Sequence, residues 1–209
     1  MELQRTIMDP GPRVPYCSHM TTMIAPEGGI EPSMWDTNDH LAVSNIARLA
    51  GVFYVLDVAS GSAALFATGA LRDVAMVMAS GFYLVVTVAL YLLFVPVHRR
   101  LSAIAAAISA CGCLVSLTGV FLPAFAQANP LPLFGVYCLL LANLIARGRF
   151  FPRFLAGLLV IGGLGWLTFA NPWLTDRLQP YNMLPGVIAE TILAVWLIWP
   201  GPRHVRPHE

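Results

Sequence analysis

Residues 74–97 read VAMVMASGFYLVVTVALYLLFVPV, residues 98–100 read HRR, and residues 101–122 read LSAIAAAISACGCLVSLTGVFL. Each apolar run has about the 20 residues that an α-helix needs to cross a hydrocarbon core of ~30 Å. The pair of arginines between them is too polar to lie inside that core. Taken alone, an Ala-rich run such as SAIAAAISACGCLVSL would also suit a buried helix in a water-soluble protein. Its neighbours decide against that, because further apolar stretches lie at 46–68, 131–147, 152–171 and 183–200, separated by short polar or Pro-rich breaks. Six such segments leave no charged, amphipathic faces to meet water.

Composition agrees. The 209 residues are 57% hydrophobic and 11% charged, about half the charged share of an ordinary soluble domain. The expected fold class is all-α: a polytopic membrane protein with a six-transmembrane-helix bundle over residues 46–201. Residues 1–45 hold Pro10, Pro12, Pro15, Pro26 and Pro32 with no sustained apolar period, and are expected to be a disordered cytoplasmic tail. Residues 202–209 form a second short tail. Met20, Met23 and Met34 are alternative translation starts, and no secretory signal pattern precedes the first span.

Orientation follows from the arginines, which gather on cytoplasmic loops near span ends. With six spans, Arg48, Arg99, Arg100, Arg147, Arg149, Arg153, Arg203 and Arg206 share one side, and Arg72 and Arg177 share the other. Both termini are therefore expected in the cytoplasm. Trp173, Tyr181 and Trp199 fall near span ends, where aromatic anchors collect. All twelve cationic residues are Arg, which suggests a GC-rich bacterial genome. The net charge of +1 offers nothing to a nucleic-acid partner, which requires clustered excess positive charge. Membrane lipids are the partners that the apolar surface calls for.

Four segments carry a family resemblance: ARLAGVFYVL at 47–56, YLLFVPVHRRLSAIAAAIS at 91–109, FFPRFLAGLLVIGGLGWL at 150–167 and GVIAETILAVWLIWPG at 186–201. In order and spacing they resemble the bacterial membrane-protein family catalogued as domain of unknown function 4386. The resemblance implies a six-helix domain in a bacterial inner membrane and supplies no reaction. It also implies that a Glu is typical at the position of Glu190, whereas Asp57 occupies a place where similar sequences are apolar.

Those two acids are the candidate working groups, because an acid inside a bilayer costs ~2.5 to 3.5 kcal/mol on insertion scales. Asp57 lies roughly 13 Å from the cytoplasmic edge, taken at Arg48, and Glu190 roughly 15 Å from that edge, taken at Pro200. If the first and last spans pack together, the two carboxyls are placed to share a proton, since close like charges resist joint ionisation. Tyr54 and Gly61 flank Asp57 at helical spacing, and Gly186 and Ala194 flank Glu190. Ser102, Ser109 and Ser116 recur every seven residues, and Ser80, Tyr83, Thr87 and Tyr91 line the preceding span. The ligand- or proton-binding candidates are thus Glu190, Asp57, Tyr54, Ser109 and Tyr83, with a structural role for the acids as the competing reading.

Other chemistry finds little support. Cys111 and Cys113, two residues apart on a helix, point about 200° apart and cannot share a ligand, and Cys138 suits a small buried position. His19, His40, His98, His204 and His208 all fall in tails or at a loop edge, so a bis-His haem or intramembrane metal centre is not expected. No cofactor and no metal is anticipated. There is no HExxH, GxSxG or Walker loop, and Gly162, Gly163 and Gly165 fit helix packing. Two function classes stand: a bundle that binds or moves a small-molecule ligand, coupled to protons, and a non-catalytic scaffold that acts by association, including as a homo-oligomer. A membrane-embedded enzyme ranks third, for want of a paired nucleophile or metal cluster.

Overall fold

The computed structural model describes residues 35–122, 124, 128–148 and 151–199. Of the tail expected over 1–45, residues 1–34 lie outside these residues and 35–45 are helical instead, while the tail expected over 202–209 also lies outside, as do the side chains of His40, Arg149, Arg203 and Arg206. Among the described residues every regular element is helical, without a strand. The helices are α1 (Trp35–Phe66), α2 (Ala70–Phe121), α3 (Leu131–Arg147), α4 (Arg153–Leu167), α5 (Pro172–Leu178) and α6 (Leu184–Ile198), with a 3₁₀ turn at Thr168–Ala170. Helix α1 begins upstream of residue 46, where the first span was placed. Residues 42–66, 70–121 and 153–170 are long and apolar enough to cross a membrane, while α3 and α6 are apolar but shorter.

Helix α2 is two helices in one. His98 has φ −162° and ψ 93°, so its backbone leaves the helix and divides it into arms at 70–97 and 99–121. Pro96 lies two residues earlier and lacks the N–H that continues a helical ladder. His98 then caps the second arm, its Nδ1 accepting a hydrogen bond from the Leu101 N–H at 3.1 Å. The six apolar stretches read from the sequence thus correspond to α1, the two arms of α2, α3, α4 with its 3₁₀ extension, and α6.

Local chemistry sets the other boundaries. Gly69, at φ 58°, makes the tight turn from α1 into α2 without a Cβ clash. The Asn129 side chain accepts from the Leu131 N–H at the start of α3, and Asn171 accepts from the Trp173 N–H at the start of α5. Pro172 and Pro185 lie in first turns, where a missing N–H costs nothing.

The helices pack in a closed circuit: α1 on α2, α2 on α3, α3 on α4, α4 on α6, and α6 back on α1. Tyr54, Phe94, Tyr137, Leu141, Leu159 and Leu193 are among the fully buried side chains at its centre. The outside is equally apolar, with Phe66, Leu71, Val88, Leu114, Ile161 and Val195 all exposed.

Candidate functional site

Glu190 lies on the buried stripe of α6, with Gly186, Ala189, Leu193, Ala194 and Leu197 at helical spacing. It is 6% exposed. Two donors converge on its Oε1: the Trp166 indole Nε1 of α4 at 3.2 Å and the Cys138 thiol of α3 at 3.5 Å. Its second oxygen accepts no hydrogen bond from the described residues. The approach of Trp166 depends on Gly186, one turn before Glu190, because a Cβ there would collide with the indole carbons and Nε1.

Helix α1 faces α6 with a matching stripe of Ala47, Ala50 and Tyr54, all buried, followed by the half-buried Asp57. Asp57 and Glu190 line the same cavity. The second wall comes from α2. The Tyr83 ring meets Tyr54 edge-on at 5.6 Å, Phe134 at 4.8 Å and Tyr137 at 6.0 Å between centroids. The buried Tyr54, Tyr83 and Tyr137 hydroxyls have no hydrogen-bond partner among the described residues.

Glu190, Trp166, Asp57, Tyr83 and Phe134 border a cavity of about 400 Å³. Its deep part holds Glu190, Asp57, Tyr83 and Trp166, and it extends past Ser80 and Ser116 to Arg72, Asn129, Pro130 and Met183. The last four lie at or beside the beginnings of α2, α3 and α6, so the cavity runs toward that end of the bundle and away from His98. Val58, Met76, Leu131 and Val187 give it an otherwise apolar lining. Chemically, it offers one carboxyl held by two donors with an oxygen to spare, a second carboxyl nearby, and aromatic faces around both.

Of the residues singled out from sequence, Tyr54 packs against Tyr83 outside the lining, and Glu190, Asp57 and Tyr83 border the cavity. Ser109 does not. It is fully buried in the seam between the two α2 arms, where its hydroxyl and that of Thr87 lie 2.6 Å apart. Ser80 donates to Ser116 at 3.3 Å, and both pairs are symmetrically disposed about His98. The serine repeat is thus a zipper closing the hairpin. Its outer pair reaches the cavity wall, whereas Ser109 does not.

Three members of the site were not anticipated. Trp166 counted as one more apolar residue, although an indole N–H in a span needs an acceptor and Glu190 was the available one. Cys138 is small and buried as expected, and it also donates to the carboxylate. Arg72 served only as a marker of topology, yet it lines the cavity. Cys111 is exposed and Cys113 buried, so the two diverge as their spacing requires.

The family model described as Domain of unknown function (DUF4386) matches residues 124–201. The resemblance read from the sequence therefore holds over α3, α4 and α6, the helices that bring Cys138, Trp166 and Glu190 together. Asp57, Tyr83 and Arg72 lie outside the matched stretch. No curated protein and no solved structure matches the chain.

Proposed function

We propose that the protein is a six-span inner-membrane protein of a bacterium with both termini cytoplasmic, and that its bundle binds a small ligand in a proton-linked way. The observation that carries this reading is the cavity of about 400 Å³ bordered by both Asp57 and Glu190. Two acids at the centre of a bilayer cost ~5 to 7 kcal/mol together on insertion scales. A bundle that only had to pack would replace them by apolar residues of similar volume. The apolar exterior supports burial in lipid, since a soluble monomer rarely exposes contiguous apolar patches beyond a few hundred Å².

The cavity runs toward the end of the bundle that carries Arg72 and Arg177, which the arginine distribution assigns to the non-cytoplasmic side. A ligand arriving from outside the cell would meet Arg72 first and the two carboxyls last. Protons exchanging at Glu190 would act in the field of Asp57 and Tyr54 from α1, Tyr83 from α2, and Tyr137 and Cys138 from α3, with Arg72 toward the mouth. The test is Glu190→Gln in proton-flux and ligand-uptake assays on reconstituted vesicles. Loss of the flux at unchanged expression is the expected result, while an unchanged flux would eliminate the carboxyl role and favour a scaffold.

A further inference from the structure

We infer that the ligand of this cavity is a monovalent organic cation with an apolar body, such as an arylalkyl amine or a quaternary ammonium. The inference rests on the ligand-binding reading above and adds the chemical class. Sign comes first. Among the described residues the deep part of the cavity holds two carboxyls and no base, and Arg72, the one base of those in its lining, stands beside the α1–α2 turn. Glu190 lies six residues into α6, roughly 9 Å along the helix from that end, and Asp57 lies nine residues before the end of α1, roughly 13 Å from it. No ion pair within 4 Å joins either acid to a base among the described residues.

The unused valence points the same way. Both protein donors to Glu190 fall on Oε1, and the other oxygen is left without one in a residue more than nine-tenths buried. A cation beside it would supply what the protein does not. The walls then select the kind of cation. Tyr83, Phe134 and Trp166 border the same space, and aromatic faces attract alkylammonium groups with ~2 kcal/mol or more when both are out of water. Val58, Met76, Leu131 and Val187 suit an apolar body. A hard divalent ion demands six or more oxygen ligands, and no group of three or more His, Cys, Asp or Glu side chains comes together among the described residues. The volume lies in the range of small-molecule sites, ~300 to 1,000 Å³.

The test uses the full chain in lipid nanodiscs and three probes of similar size: benzyltrimethylammonium, the neutral N,N-dimethylbenzamide and the anion phenylacetate. Binding is followed by calorimetry and by quenching of tryptophan fluorescence. The cation should bind about tenfold or more tighter than the neutral probe, a difference of ~1.4 kcal/mol. That preference should disappear in Glu190→Gln, whose amide oxygen still accepts from Trp166, and should weaken in Asp57→Asn. If the neutral or anionic probe binds as well as the cation, the cation class is overturned while ligand binding stands. If the cation preference survives in both variants, the assignment to these carboxyls is overturned. If none of the three binds, both the class and the ligand-binding reading fail.

Discussion

At the scale of single residues, the site depends on a contact between a glycine and an indole. The Trp166 ring lies against the bare Cα of Gly186, and this position lets its N–H reach Glu190 one turn further along α6. Gly186→Ala should displace the ring and cost ~1 to 3 kcal/mol, the usual penalty for overpacking. Trp166→Phe should cost a similar ~1 to 3 kcal/mol by leaving the carboxyl short of a donor, yet keep the ring's packing. Both are measured as loss of thermal stability in detergent, and an unchanged melting temperature for Gly186→Ala would refute the close contact. Glu190 and Asp57 were legible in the sequence because charge is costly in a span and so stands out. Trp166 was not, because tryptophan counts with the hydrophobic residues, and its one polar atom matters only once α4 and α6 are seen to touch.

At the scale of helices, α3 and α4 cross at Gly135 and Gly163. A Cβ on Gly163 would lie 2.9 Å from the Gly135 carbonyl oxygen, and one on Gly135 would lie 2.8 Å from that of Gly163. Backbone atoms cannot turn aside as a flexible side chain can. Gly157, six residues earlier on α4, has nothing within 4 Å of a built Cβ. Gly163→Ala should therefore destabilise by ~1 to 3 kcal/mol. Gly157→Ala should be neutral or stabilise by up to ~1 kcal/mol through helix propensity. Thermal unfolding of the two variants side by side decides it, and equal effects would sink the crossing geometry. Ser109→Ala is a milder probe of the α2 seam. Thr87 keeps its bond to the Tyr83 carbonyl, so the loss should stay near the ~0.6 kcal/mol typical of interhelical hydrogen bonds in membranes. The glycine cluster in α4 announced close packing in the sequence, and the serine repeat announced a polar face. What neither disclosed was the partner, since a stripe on one helix carries no information about which neighbour it meets.

At the scale of the whole molecule, apolar runs and their breaks foretold the helices closely, because a hydrocarbon solvent forces the backbone to satisfy itself within each segment. The short α6 illustrates the limit of that rule. Its 15 residues span roughly 22 Å, less than the ~30 Å hydrocarbon core, and the remainder is irregular backbone from residue 179 to 183. Such backbone is tolerated at depth only where protein or a cavity covers it. Asn182 meets that condition: it is buried and donates to the Thr168 hydroxyl at 3.0 Å, while Met183 borders the cavity. The 3₁₀ turn, α5 and the cavity mouth thus belong to one end of the bundle, which the proposed topology places outside the cell. Arg177 over the Trp173 ring, at 5.5 Å, gives that end an interfacial anchor. Thiol labelling in intact cells tests the orientation. The background replaces the four native cysteines, with Cys138→Ser to keep a donor toward Glu190. Gln179→Cys, exposed after α5, should react with a membrane-impermeant maleimide added outside. Arg100→Cys, exposed at the α2 hairpin tip, should react only after the cells are opened. Labelling of both from outside would break the six-span count, and labelling of Arg100→Cys alone would reverse the assignment and turn the cavity toward the cytoplasm, where a ligand would have to be drawn from the cell interior instead of captured from its surroundings.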